Sequence, residues 1–255
     1  MSKIGIAIST RNRQKHLKIC LAHFVAYYPQ EHKVTMMVCD DNSDLDKAQE
    51  NQLTCAYWGV DYKYHDSRIG VARNKNFGLS ILQNNDVVFL FDDDCFPNDN
   101  HWVDSYVEIM KQNDVHHLTY TPWEPSQRTE ADGMYVSEWG MGCCLFFSKS
   151  IIEKIGGFEE QYHMFGYEHL SYARHAFASG MNQKYGAYLT PKSAIGRIFS
   201  LDYEYQVLKQ HPSLCDIDFQ HSRISYKDTP ADVIRLNRQR FEANKDKLYV
   251  ALPTV

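Results

Sequence analysis

An α/β protein with a doubly wound, mainly parallel central sheet is predicted by three observations. Short runs rich in β-branched and aromatic residues recur at Ile4 to Ile8, Val34 to Cys39 and Val87 to Phe91. These runs are almost continuously apolar rather than alternating, the pattern of strands covered on both faces. Stretches with apolar residues at helical spacing separate them, and strand, helix, strand alternation builds a sheet whose ligands sit beyond the carboxyl ends of the strands.

Between the first two strands, Leu17, Leu21, Phe24 and Tyr28 recur at helical spacing beside polar Lys15, Lys18 and His23, which predicts a helix from Gln14 to Tyr28. A second helix follows Gly70 through Ala72, Phe77, Leu79 and Leu82 and delivers the chain into the third strand. A third runs from about His101 to Lys111, with Trp102, Val103, Tyr106, Val107 and Met110 on one side. Thr121 to Gly133 has two prolines, several charges and no period, and reads as a long mobile loop. A fourth apolar run, Cys143 to Phe147, reads as another strand. The last helix starts with Thr229 as N-cap and Pro230 at its first position, then continues through Val233, Leu236 and Phe241. Its Arg235, Arg238, Arg240, Lys245 and Lys247 read first as a solvated face.

At 255 residues the chain can bury a substantial core in one main α/β unit with a small appendage. A net charge of -5 gives no global basic field to hold a polyanion. Met1-Ser2-Lys3 leads into a short apolar stretch with no signal-peptide core behind it, and no segment is long enough to span a bilayer. A cytoplasmic location is expected, with any membrane contact peripheral. The seven cysteines are odd in number and lack metal-type spacing, so reduced, mostly buried thiols are expected.

The strongest chemical signal is Phe89-Leu90-Phe91-Asp92-Asp93-Asp94, three carboxylates at the end of a buried strand. Their mutual repulsion costs free energy unless a cation neutralises it, and a hard divalent ion with a diphosphate completing its shell would do so. The alternative is an Asp-rich turn capping the next helix, since Pro97, Asn98 and Asp99 follow. The other strand ends, Ser9-Thr10-Arg11-Asn12-Arg13 and Asp40-Asp41-Asn42-Ser43, would converge with it on one crevice suited to a nucleotide. Arg73, Asn74 and Lys75 could face phosphate oxygens, and each has a bland reading as a cap or a surface charge. Trp139, in Glu138-Trp139-Gly140-Met141-Gly142, could stack on a sugar or an acceptor ring where the glycines leave room, although core packing is the commoner fate of tryptophan.

Residues 6–13 (IAISTRNR), 38–43 (VCDDNS), 70–76 (GVARNKN) and 89–94 (FLFDDD), in that order and spacing, resemble the family-2 glycosyltransferases of the GT-A fold. Gly156-Gly157-Phe158-Glu159-Glu160, then Gly166-Tyr167-Glu168-His169 and Arg174, resemble the family's acceptor half. The resemblance implies that Thr10 and Asp41 contact the nucleobase with Arg11 and Asn12 nearby. It places Arg73 at the donor phosphates with Asn74 beside it, Asp92 on the ribose with Asp93 also at the donor, and Asp94, together with Asp92, on Mn2+ or Mg2+. Glu168 matches the first member of the family's acidic pair and is the implied base; His169 stands where the family usually has Asp, and is the second candidate. The family's usual histidine ligand has no counterpart between His175 and His211, which leaves His221 as the candidate, with His211 behind it.

These expectations describe residues 1–200 as a glycosyltransferase domain, about 1–98 for the nucleotide sugar and 99–200 for the acceptor, with 201–255 as a helical extension. The expected reaction is inverting transfer of a hexosyl or pentosyl group, most often from a uridine diphosphate sugar. The acceptor hydroxyl belongs by default to a surface glycan, with a protein or a hydroxylated DNA base left open. Two rivals stand beside it: a nucleotidyltransferase, which would carry a Gly-rich loop that residues 9–13 lack, and an inactive nucleotide-sugar binding module. Oligomeric state is not legible.

Overall fold

The strand Ile4 to Ile8 is buried on both sides because its side chains alternate between two cores. Ile4, Ile6 and Ile8 join one cluster with Val38, Phe89 and Phe91; Ala7 joins the other with Met37, Cys39, Val88 and Leu90. In a computed structural model, which describes residues 1–121, 128–137, 140–162, 166–182, 188–201, 231–243 and 250–253, these strands form the centre of a six-stranded sheet.

The elements in chain order are β1 (Lys3–Thr10), α1 (Gln14–Ala26), β2 (Lys33–Asp40), α2 (Leu45–Trp58), β3 (Asp61–Tyr64), α3 (Val71–Leu82), β4 (Val87–Asp92) and β5 (Cys95–Pro97). Then come α4 (Trp102–Asn113), β6 (His117–Tyr120), β7 (Arg128–Ala131), β8 (Met134–Ser137), β9 (Met141–Ser148), α5 (Lys149–Ile155), α6 (Glu168–Ala178), β10 (Tyr188–Pro191), β11 (Ile198–Ser200) and α7 (Ala231–Ala243). The sheet order is β3-β2-β1-β4-β9-β6, with β3, β2, β1 and β4 parallel and β9 antiparallel to both β4 and β6. No described helix is long and apolar enough to cross a membrane.

The parallel register decides where the polar strand ends go. Thr10 pairs with Asp40 and Ser9 with Asp92, so β1, β2 and β4 finish at one edge. The ladder continues past the strands, with Asp41 N donating to Thr10 O at 3.0 Å and Asp93 N to Ser9 O at 3.1 Å. Helix α3 lies close against β1: a Cβ on Gly78 would come 2.8 Å from the Ala7 Cβ. That approach carries the N-terminal turn of α3 to the same edge.

Helix α2 and the β7–β8 hairpin are among the elements that lie outside the sequence expectations. Helix α2 buries only Ala48, Asn51 and Cys55 and leaves Leu45, Leu53 and Tyr57 exposed, so its apolar period is too faint to read. The expected loop from Thr121 to Gly133 is corrected from Arg128 onward. There β7 and β8 pair as a hairpin through Asp132-Gly133, both at positive φ, the Asp-Gly turn that matches strand twist. The six described cysteines are free and buried, while Cys215 lies outside the described residues.

Candidate functional site

On the donor side, local hydrogen bonds hold the three strand ends together. The Thr10 hydroxyl donates to Asp93 Oδ2 at 2.6 Å. Asn12, at φ 56°, accepts from Asp44 N through Oδ1 and donates its own N–H to Ser43 Oγ, both at 2.8 Å, tying the loop after β1 to the loop after β2. The buried Asp41 carboxylate accepts from Ile69 N at 2.7 Å and from Gly70 N at 3.1 Å, and so fixes the turn into α3, where Gly70 has φ 86°. Arg11 stands beside this turn with a buried Nε that has no hydrogen-bond partner. Burial and the neighbouring Arg11 charge lower the pKa of Arg68 against Asp41. Arg68 was not legible as a site residue, since it sits in an aperiodic loop.

The triplet Asp92-Asp93-Asp94 does not cap the next helix. Asp99 serves that turn instead, accepting from His101 N at 2.7 Å. The three acids are held by two protein cations. Arg13 places Nη1 3.1 Å from Asp93 Oδ1 and Nη2 3.1 Å from Asp94 Oδ2. Lys75 places Nζ 3.4 Å from Asp92 Oδ1, and the Asp92 side chain stays 35% exposed to the crevice. Burial, and behind it the charges of Asp94 and Glu168, raise the Asp92 pKa against Lys75 and Arg13.

Asp93 is shifted upward as well. Burial raises it, Asp94 and Asp92 add to that, and Arg13 and the Thr10 hydroxyl oppose it, leaving a pKa of about 7. A carboxyl raised in the folded state binds a proton that the unfolded chain has already released. Its stabilising share is therefore present at low pH and is lost as pH rises from the usual carboxylate range through about 7. Asp93→Asn is expected to flatten the fall in Tm between about pH 5 and pH 8 in chelator-treated protein. Thermal unfolding followed by circular dichroism checks this, and an unchanged slope would assign the pH dependence elsewhere.

The second half of the crevice is built on α6. Gly166 (φ 96°) and Tyr167 (φ 73°) turn the chain so that Glu168 opens the helix, where the macrodipole favours a carboxylate. Glu168 is 3% exposed. Its Oε1 accepts from His169 Nδ1 at 3.4 Å and lies 3.7 Å from Lys75 Nζ, while Oε2 is buried with no hydrogen-bond partner. Burial pushes the Glu168 carboxyl up, but the His169 hydrogen bond, the His169 charge and Lys75 outweigh it and hold the pKa at about 2. His169 Nε2 meets Gly140 O at 3.1 Å.

The glycines near Trp139 make room for protein groups rather than for a ligand, which corrects the sequence expectation. A Cβ on Gly142 would lie 2.9 Å from His169 Nδ1, and one on Gly140 would lie 2.6 Å from Thr119 Oγ1. Trp139, His211 and His221 lie outside the described residues, as do Thr229 and Pro230.

The turn before α6 is anchored from two sides. Asn76 donates to Phe158 O at 2.9 Å and accepts from Phe158 N at 2.7 Å; Ser171 Oγ donates to Glu159 Oε1 at 2.7 Å, and His175 Nε2 lies 3.3 Å from the same oxygen. Helix α7 packs over the turn, with Phe241 5.3 Å from the Tyr167 ring and the Arg174 guanidinium 3.6 Å over Phe241. Arg240 donates to Gln161 O, so within the predicted solvated face this residue is a structural contact, whereas Arg235 and Arg238 are exposed.

The α3 residues take separate directions. Arg73 points outward, its side chain 54% exposed, and pairs through Nε with Glu160 Oε2 at 3.1 Å. Asn74 is buried and uses both ends of its amide within the fold, donating to Cys39 O at 3.0 Å and meeting His65 Nε2 at 3.1 Å. Its expected place at the donor phosphates is corrected to this internal bridge. Lys75 turns inward rather than toward phosphate. The signal that could have found it is its phase: with Ala72, Asn76 and Leu79 it lies on the buried stripe of an amphipathic helix.

Four carboxylates, Asp92, Asp93, Asp94 and Glu168, thus face two cations, Arg13 and Lys75, a donor set of hard oxygens with residual negative charge that fits a divalent ion. Among the described residues no three His, Cys, Asp or Glu side chains come together as a metal-holding group, so Asp92 and Asp94 would need ligand oxygens to complete a shell.

The profile of glycosyl transferase family 2 matches residues 5–173. An uncharacterized glycosyltransferase of Acanthamoeba polyphaga mimivirus is 23% identical over 224 residues, covering 82% of this chain and 81% of the viral protein. A mannosyltransferase from Pyrobaculum calidifontis, solved with GDP-Man and Mn2+, superposes with a TM-score of 0.59 at 14% identity over 76% of this chain and 56% of its own. GalNAc-T7, solved with UDP, GalNAc and Mn2+, gives 0.58 at 14% identity over 75% and 43%. The chain therefore spans about half the length of these two solved proteins, and at that identity they speak for the fold. With this profile covering both the donor-side blocks and the start of α6, on a doubly wound sheet of GT-A type, the chain belongs to glycosyl transferase family 2.

Proposed function

We propose that the protein transfers a sugar from a nucleoside diphosphate sugar to an acceptor hydroxyl with inversion, assisted by a divalent cation. One observation carries this reading. A single ammonium, Lys75 Nζ, lies 3.4 Å from Asp92 on the donor side and 3.7 Å from Glu168 on the acceptor side, so an acid suited to the donor and a buried carboxylate base share one crevice. Thr10, Asp41, Arg11, Arg68 and Asn12 line the nucleoside end, and Asp92 and Asp94 would hold Mn2+ or Mg2+ against the diphosphate. When bound, the cation supplies Lewis-acid stabilisation of charge on the leaving diphosphate. Glu168, ionised at neutral pH, takes the proton of the attacking hydroxyl. A carboxylate base on the acceptor side suits direct displacement, which inverts the anomeric centre. A glycan hydroxyl is the acceptor of first choice.

A thermal-shift screen of uridine and guanosine diphosphate sugars, each with Mn2+ or with chelator, tests the reading. Ligand at a hundredfold excess over its Kd is expected to stabilise the fold by about 2.7 kcal/mol, with the shift largely lost in chelator. An active transferase should also hydrolyse its donor slowly. A shift without any hydrolysis or transfer would favour the inactive binding module, a reading that His169 in place of the usual acid keeps open.

A further inference from the structure

Arg73 and Lys75 stand two residues apart near the start of α3, yet the first points out and the second in. The Lys75 side chain is 1% exposed. Its Nζ donates to Gly142 O at 2.9 Å and reaches Asp92 Oδ1 and Glu168 Oε1. A buried ammonium without partners is costly, but three acceptors on β4, β9 and α6 match its three protons.

The consequence falls on Glu168. Oε1 is fixed between Lys75 and His169, whereas Oε2 is buried and bare. A carboxylate held through one oxygen cannot turn freely about its terminal torsion, so the direction of the other oxygen is set. We propose that Lys75 is a positioning residue of the transfer reaction, holding Asp92 and Oε1 of Glu168 on one ammonium so that the Glu168 carboxylate keeps a fixed orientation and distance relative to the donor. This rests on the reading of Glu168 as the base. In the step, the acceptor oxygen bonds to the anomeric carbon while the bond to the diphosphate oxygen breaks and its electron pair leaves with the diphosphate. The hydroxyl proton passes to the Glu168 carboxylate, and Lys75 keeps all of its protons.

Lys75→Met removes the charge at similar length. The expected result is kcat lower by about 10- to 100-fold, because misplacing a catalytic group by about 1 Å costs on that order. Donor KM, and the calorimetric Kd for nucleoside diphosphate with Mn2+, should stay within about threefold. Wild-type kcat per folded molecule in Lys75→Met, alongside an inactive Glu168→Gln, would overturn the role of Lys75 and leave the base reading standing. An active Glu168→Gln would remove the base reading, and this inference with it. Should Lys75→Met fail to fold, Lys75→Arg, which keeps the charge but displaces it, decides the matter. A lowered kcat at unchanged donor KM supports positioning, and unchanged kcat overturns it.

Discussion

Glu168→Gln is expected to lower kcat by about 10²- to 10⁴-fold, the usual share of a positioned general base, while leaving the donor-dependent thermal shift in place. The substitution keeps the shape of the side chain and an oxygen for His169 Nδ1, but an amide cannot take a proton from the acceptor. The native carboxyl sits at about 2, so the enzyme already holds an ionised base across the neutral range. The stability this lowered group contributes is present above the usual carboxylate pKa and is lost only as pH falls through about 2. The transfer assay should therefore show no acid limb from Glu168 near neutrality. Turnover within a few-fold of wild type in Glu168→Gln would end the assignment.

Asp94→Asn is expected to cost several kcal/mol of transition-state stabilisation, about 10²- to 10³-fold in kcat/KM, if Asp94 holds the cation against the leaving diphosphate. The amide oxygen can still accept from Arg13 Nη2, which in the native protein lies 3.1 Å from Asp94 Oδ2, so the fold should persist. The two variants separate by their response to metal: raising Mn2+ should recover part of the Asp94→Asn loss and none of the Glu168→Gln loss. Titrating Mn2+ in both, with turnover and thermal shift as readouts, makes the comparison. Equal metal dependence in wild type and Asp94→Asn would move the cation to other ligands.

The two cations inside the acid cluster change what a divalent ion would be asked to do. Three adjacent carboxylates at a strand end call, from sequence, for a neutralising ion, yet Arg13 already spans Asp93 and Asp94, and the Asp93 pKa is raised to about 7. The folded crevice can thus exist before any donor arrives, with its repulsion offset by the protein. A divalent ion and a diphosphate would then add to a formed site rather than fold it.

Much of the fold was legible because its signals are local. The runs at Ile4, Val34 and Val87 are strands since a chain buried on both faces cannot alternate, and parallel strands must share one carboxyl edge. The meeting of Thr10, Asp41 and Asp92 to Asp94 followed from that alone. Helix α2 was not legible, because a helix that buries one residue per turn leaves little period. The hairpin of β7 and β8 carried its Asp-Gly signal, but in a polar stretch that reads as loop.

The residue types of the site, and the order in which they reach the crevice, were determined by the sequence: polar strand ends, an acidic triplet, and a carboxylate opening a helix after two residues at positive φ. Tertiary structure alone decided how those groups are charged and held. Arg13 meets Asp94 across 81 residues and Lys75 meets Gly142 across 67, and a glycine on β9 clears the space that the His169 ring occupies. Periodicity and motif spacing report neighbours along the chain, whereas an ion pair or a missing Cβ matters only through what packs against it in space.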